Sequence, residues 1–237
     1  MRKIKVLYVF SRSTRVEQQR LLKHREAPDD LLYGYLRLSR EVFARQNITR
    51  CLDEWSWRRA VRLPLEMAIT RQARIGFALS FVRDHLGSLR QADVIVATVD
   101  TVGLPIAWLK WRGLLSTPLV YMSQGLTDRL EKLPERSWRR RYGQFFYSRL
   151  LGAAERTAVF GEGAAEPLRR MFKVQRQRMA VVPFGVDDAF WQPAEAKTAD
   201  EVVLSVGSDA ARDYATLVAA SRKRRLKIVT RLTVPEA

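Results

Sequence analysis

Short apolar runs rich in valine and isoleucine recur along the chain with helical stretches between them, and this alternation constrains the fold more than any other feature. The runs are Ile4–Phe10, Ile48–Leu52, Val94–Thr98, Leu119–Met122, Thr157–Phe160 and Met179–Val182. Strands that read as continuous apolar runs are buried on both faces, as in a parallel sheet. Helical patterns fall between them at Leu31–Arg45, Leu65–Leu86, Val102–Trp111, Trp138–Leu151 and Gly163–Phe172. In the second of these, Met67, Arg71, Arg74 and Phe77 lie three or four residues apart, and Gly87 is placed to stop the helix. The expected class is α/β, a doubly wound parallel sheet with right-handed crossovers.

The rhythm breaks at Pro183. Residues 183–199 carry neither period, contain Pro183, Gly185 and Pro193, and read as a linker. Behind it a strand (Val202–Val206), a loop (Gly207–Arg212), a helix (Tyr214–Ser221) and a second strand (Leu226–Thr230) make one βαβ unit. Two strands and one helix bury too little to stand alone, so the second domain is expected to be incomplete, a truncated start. The expected organisation is a first domain at 1–182, a linker at 183–199 and the start of a second domain at 200–237.

Charge narrows the partners. The formal net charge is +17, from 42 Lys and Arg against 25 Asp and Glu. Nucleic acid, an anionic membrane and phosphate-bearing substrates all answer to such a field. Trp57, Trp111 and Trp138 are each followed by arginine, a pair suited to a bilayer's headgroup layer, although arginines that merely solvate a helix face over a buried ring give the same pattern. The longest apolar stretch, Thr101–Leu109, is too short to span a membrane, and Val6–Phe10 is too short for a secretory leader. One cysteine, Cys51, excludes an internal disulfide and a multi-thiolate zinc site, and His24 and His85 lack metal partners, so no metal is expected and the compartment reads as cytosolic.

Two stretches resemble a known family. Val181-Val182-Pro183-Phe184-Gly185-Val186-Asp187, followed by Phe190, Trp191 and Pro193, is similar to the strand-to-linker signature of glycosyltransferase family 4 and its relatives. Val203-Leu204-Ser205-Val206-Gly207, then Arg212-Asp213-Tyr214, Leu217 and Ala220, resembles the same family's donor-domain entry. Ala92–Thr98 with Asp100 and Gly103, and Pro118–Gly125, add lighter support. The resemblance implies two facing Rossmann-like domains, the first binding acceptor and the second a nucleotide-sugar. It also implies retention of anomeric configuration and no metal requirement. The donor would be a UDP or GDP sugar, the transferred group a hexose-type sugar, and the acceptor a lipid-linked or cell-envelope glycan met at the cytoplasmic face of the membrane. The two glutamates with seven residues between them that mark the family's donor domain do not occur at that spacing, so the chain is expected to be inactive alone.

Residue by residue, the resemblance and the rule that ligands sit at the carboxyl ends of parallel strands select the candidates. Gly207, Ser208 and Arg212 would meet the donor diphosphate, with Ser208 standing where the family often has arginine. Ser11, Arg12, Ser13, Asp100, Gln124 and Gly125 would meet the acceptor, the Ser11–Arg15 turn suiting a phosphate or pyrophosphate. Many members carry histidine where this chain has Ser123-Gln124-Gly125, and Gln124 cannot serve as a base. Asp128 is the nearest titratable substitute, and its position equally suits a helix cap. Membrane contact falls to Trp57, Arg58 and Arg59 and to Trp138, Arg139 and Arg140. A competing reading is a non-catalytic basic subunit that borrows a donor domain from a partner. Nucleic acid is not an expected partner, because no recognised nucleic-acid-binding motif is present.

Overall fold

The computed structural model describes residues 2–11, 14–22, 24, 26–50, 63–64, 66–71, 75–192, 202–208, 212–221 and 224–234. They fall into two compact units, Met1–Trp191 and Gln192–Ala237. The first contains six parallel strands: β1 (Ile4–Phe10), β2 (Phe43–Thr49), β3 (Val94–Ala97), β4 (Leu119–Met122), β5 (Arg156–Val159) and β6 (Met179–Val181). Their spatial order is β2-β1-β3-β4-β5-β6. The helices are α1 (Thr14–Leu22), α2 (Leu79–Asp84), α3 (Leu86–Gln91), α4 (Asp100–Trp111), α5 (Leu126–Glu131), α6 (Trp138–Ala153) and α7 (Glu162–Phe172). This is the doubly wound α/β, Rossmann-like arrangement that the alternating pattern implies.

The central strands are apolar on both sides because both sides are covered. Leu7, Val9, Ile95 and Ala97 join Val102, Leu104 and Ile106 of α4, Leu150 of α6 and Leu168 of α7 in one core. Val6, Tyr8, Phe10 and Val96 point the other way, onto Leu32 and Tyr35. Adjacent residues of one strand therefore serve opposite cores, the period-two geometry of a pleated strand.

Two expected helices are corrected. Leu31–Arg45 is not a helix: 3₁₀ turns at Asp30–Leu32 and Tyr35–Arg37 precede β2, which pairs with β1 from Ile4↔Phe43 to Phe10↔Thr49. Tyr33 (φ +51°) and Gly34 (φ +76°) are both left-handed, which no α-helix accommodates. The strand expected at Ile48–Leu52 thus begins five residues earlier, at Phe43. It lies at the sheet edge and carries Arg45, Gln46 and Asn47, so it lacks the continuous apolar run that marks a central strand.

Leu65–Leu86 is likewise not continuous. Residues 66–71 are helical, but 75–78 are not, and the chain resumes as α2 and α3. Gly87 lies inside α3 rather than ending a helix. The break has a cause in α4. Pro105 has no N–H for the carbonyl of Thr101, and Ala78 supplies one at 2.9 Å. That bond draws residues 75–78 against α4, where a side chain at Gly76 would come within 2.8 Å of the Thr101 hydroxyl.

In the second unit, β7 (Val202–Val206) and β8 (Arg225–Val229) pair in parallel, with α8 (Tyr214–Ala220) between them in sequence.

Candidate functional site

The strand order reverses between β1 and β3, because the chain leaves β1 for β2 on one side and returns to β3 on the other. Ligands collect outside the carboxyl ends of the strands near such a switch point. Half-buried Ser11 follows β1 there, while Arg12 and Ser13 lie outside the described residues. Beside β1, Thr98 donates its hydroxyl to the Val9 carbonyl at 3.0 Å, and the Gln124 side-chain amide donates to the Thr98 carbonyl at 2.6 Å. The ends of β1, β3 and β4 are laced together by polar groups.

Asp100, the first residue of α4, is the hub of this edge. Its buried Oδ1 accepts from the Tyr121 hydroxyl and from the Gln124 backbone N–H at 3.0 Å. Burial pushes the Asp100 carboxyl above its ordinary 3.8, and the Tyr121 bond, the Gln124 bond and the nearby Arg129 charge oppose that rise. The Tyr121 hydroxyl is driven well up by burial and by the carboxylate beside it. Gly125, at φ +91°, then turns the chain into α5. Asp128 sits exposed in the first turn of α5. Asp100, Gln124 and Gly125 are therefore brought together, but the Asp100 carboxylate faces inward and shapes the turn.

The adjoining cavity was not among the sequence candidates. It measures about 340 Å³ and opens at the ends of β4, β5 and β6, where Met122, Phe160 and Val182 form part of its wall. Tyr33 and Phe160 stack at 5.8 Å and 12°, and Phe184 meets both edge-on at 6.1 and 5.4 Å. Asp29, Asp30 and Asp188 rim it together with Arg37. Tyr33 holds its left-handed backbone at this wall.

A second network fastens residues 184–191 to the same wall. Buried Asp187 accepts the Asp29 N–H at 3.1 Å and faces the Arg37 guanidinium at 3.5 Å, while Arg37 also pairs with Asp29 at 2.7 Å. The Asp187 N–H donates to Asp30, whose other oxygen accepts the Trp191 indole N–H at 2.9 Å. The Asp and the later Trp of the sequence signature thus bridge 157 to 161 residues of chain to the 29–37 segment. The same rule that selected Gln124 would have selected Met122 and Phe160, each of which ends an expected strand. Nothing in the sequence pattern marks Tyr33, Asp29 or Arg37.

In the second unit, Gly207 has φ +148°, and a Cβ there would come within 2.5 Å of the Arg212 guanidinium. The glycine lets Arg212 fold across the end of β7. The Gly207 N–H already donates to the Val229 carbonyl at 3.0 Å, and the Ser208 hydroxyl accepts from the Arg231 N–H at 2.8 Å. Asp213 caps α8, accepting from the Thr216 N–H at 3.0 Å and its hydroxyl at 2.6 Å, and these bonds hold its carboxyl below 3.8. Arg212 and Asp213 are both exposed at the end of this loop.

Of the membrane-contact candidates, Trp57, Arg58 and Arg59 lie outside the described residues. Trp138 is exposed at the start of α6, with the Arg139 guanidinium 5.9 Å from its ring centre. Arg140 turns away and donates to the Leu133 carbonyl at 3.3 Å. No helix among the described residues is long and apolar enough to cross a membrane.

The sequence model of the glycosyl transferase 4-like domain matches residues 36–185, more than half of the chain and the part that builds β2 to β6 and a share of the cavity wall, Arg37, Met122, Phe160 and Phe184 among it. No curated protein matches the chain.

Proposed function

The chain belongs to the glycosyl transferase 4-like family, and from that premise we propose that it forms the acceptor-binding side of a retaining enzyme. This enzyme moves a hexose-type sugar from a UDP or GDP donor to a lipid-linked or cell-envelope glycan at the cytoplasmic face of the membrane. Membership itself means glycosyl transfer with a nucleotide-sugar donor and an acceptor. The cavity at the ends of β4 to β6 carries the finer reading. Its volume is that of a small-molecule site. The faces of Tyr33, Phe160 and Phe184 offer apolar surface to the C–H face of a pyranose, and the aspartates on the rim accept hydrogen bonds from hydroxyls. Three carboxylates against one guanidinium disfavour a phosphate inside it. A linked phosphate belongs instead to Ser11, Arg12 and Ser13, which follow β1 in sequence.

In this mechanism Asp100 is a positioning residue. It fixes Tyr121 and the Gln124 backbone, so that the β4–α5 turn holds one shape while the acceptor enters. On the donor side, Arg212 meets the diphosphate with a permanent charge and a fork of donors, supported by the Ser208 turn. Charge developing on the sugar is met by fixed protein charges rather than by a metal. Acceptor binding is the property we assign to the first unit, and donor binding to the βαβ module of the second.

The test is a glycan array probed with the labelled chain. Binding to neutral, hydroxyl-rich oligosaccharides is expected, weakened about tenfold, roughly 1.4 kcal/mol, by Phe184→Ala, which removes an exposed cavity ring without opening the core. An array on which no glycan binds, or on which Phe184→Ala binds as the parent does, refutes the reading.

A further inference from the structure

Helix α6 carries an outer stripe that its packing leaves uncovered. At about 100° per residue, Trp138, Tyr142, Phe145 and Arg149 fall within an arc of roughly 60°. The three rings remain exposed by 67%, 49% and 57%. Across the 16 residues of the helix there are four arginines and no acidic residue. The Arg149 guanidinium stands 5.2 Å from the Phe145 ring centre, repeating the arrangement of Arg139 over Trp138. The patch extends beyond the helix. Tyr142 stacks on Phe146 at 6.0 Å, Phe146 meets exposed Trp111 edge-on at 6.4 Å, and Arg112 lies 6.0 Å from the Trp111 ring centre. Three exposed rings thus each hold an arginine at their own level.

We propose that this face of α6, with Trp111 beside it, is a docking surface for an anionic lipid bilayer. The inference deepens the proposed function by naming the surface that meets the membrane, and rests on that reading only for what the membrane-bound chain then does. Rings at the depth of the headgroups and guanidinium groups among the lipid phosphates reproduce the two halves of an interfacial anchor. Lying over the rings restrains the arginines beside the aromatic surface, so little side-chain entropy is lost on binding. A second copy of the chain fits poorly. A two-fold contact through this face would set its arginines against the same arginines, with no carboxylate on the helix to pair them. Arg140, on the opposite side of the helix and bonded to Leu133, is not part of the surface.

Sedimentation with sonicated vesicles tests this without donor or acceptor, so its outcome is separate from that of the glycan array. The chain is expected to partition onto phosphatidylglycerol–phosphatidylcholine vesicles at low salt, to release as salt rises, and to bind pure phosphatidylcholine weakly. The triple variant Trp138→Ala, Tyr142→Ala, Phe145→Ala should lose at least tenfold in partitioning. Arg139→Gln with Arg149→Gln, which leaves every ring in place, should lose about fivefold per arginine and show a shallower salt dependence. No binding by the parent chain to the anionic vesicles overturns the proposal. So does parental binding by either variant, or a dimer in sedimentation velocity that the triple variant disperses while vesicle binding is unchanged.

Discussion

Gly103 is the position at which one added methyl group should do most harm. It lies in the first turns of α4, and a Cβ built there would stand 2.6 Å from Cε2 of Tyr121 and closer still to Cδ2. Tyr121 is fully buried, and its hydroxyl is bound to Asp100 one turn earlier on the same helix, so the ring cannot give way without leaving its partner. Overpacking of this kind costs about 1–3 kcal/mol. Loss of a hydrogen bond to a carboxylate adds about 1.5–3 kcal/mol. The better helix propensity of alanine returns about 1 kcal/mol. Gly103→Ala should therefore destabilise the first unit by about 2–5 kcal/mol, lowering its melting temperature by roughly 5–15 °C in calorimetry. Gly87→Ala is the control: it is also helical, but nothing lies within 4 Å of its added methyl, so the same exchange should raise the melting temperature by about 2–4 °C. A Gly103→Ala protein that melts with or above the parent would refute the packing of Tyr121 on α4.

Other consequences follow from the same edge of the sheet. Because burial raises the Asp100 carboxyl, its folded form holds a proton that the unfolded chain releases, so its contribution is complete below 3.8 and falls as pH rises through the raised value. Asp100→Asn keeps an oxygen for Tyr121 and Gln124, and urea melts from pH 4 to 8 should show a flatter stability than the parent; equal slopes would contradict this. Asp213 behaves oppositely: its lowered carboxyl caps α8 at neutral pH, and the cap is lost as pH falls through the lowered value, a change that Asp213→Asn should blunt in the helical circular dichroism of the second unit. Asp187→Ala strips the Asp29 amide of its buried acceptor, at about 1–3 kcal/mol, and should speed amide exchange at Phe190 and Trp191. Unchanged protection there would show that this network does not hold the segment.

The central strands were legible because burial on both faces leaves a mark in composition: β1 and β4 begin and end where the apolar runs do. Edge strand β2 was misplaced for the converse reason, since half-exposed Arg45 and Asn47 cost it the apolar signature. The false helix before it failed on Tyr33, whose left-handed backbone no propensity anticipates. The broken helix at 75–78 depends on a carbonyl freed by Pro105, nearly thirty residues away, a long-range cause that a local pattern does not carry. At the site, the rule about strand ends found Asp100, Gln124 and Gly125, which the fold brings together. It did not reveal that Asp100 faces inward, because that depends on Tyr121 across the sheet-to-helix layer. The cavity was missed since its rings come from 29–37, the end of β5 and the 183–186 turn, which only the folded chain assembles.

The account turns on where the acceptor sits. A titration of the chain with its strongest array glycan, followed through the aromatic proton resonances in NMR, tests this most directly. Shifts concentrated on Tyr33, Phe160 and Phe184 are expected, with the α6 rings unmoved. Shifts absent from those three and gathered at the opposite, amino-terminal edge of the sheet would contradict it.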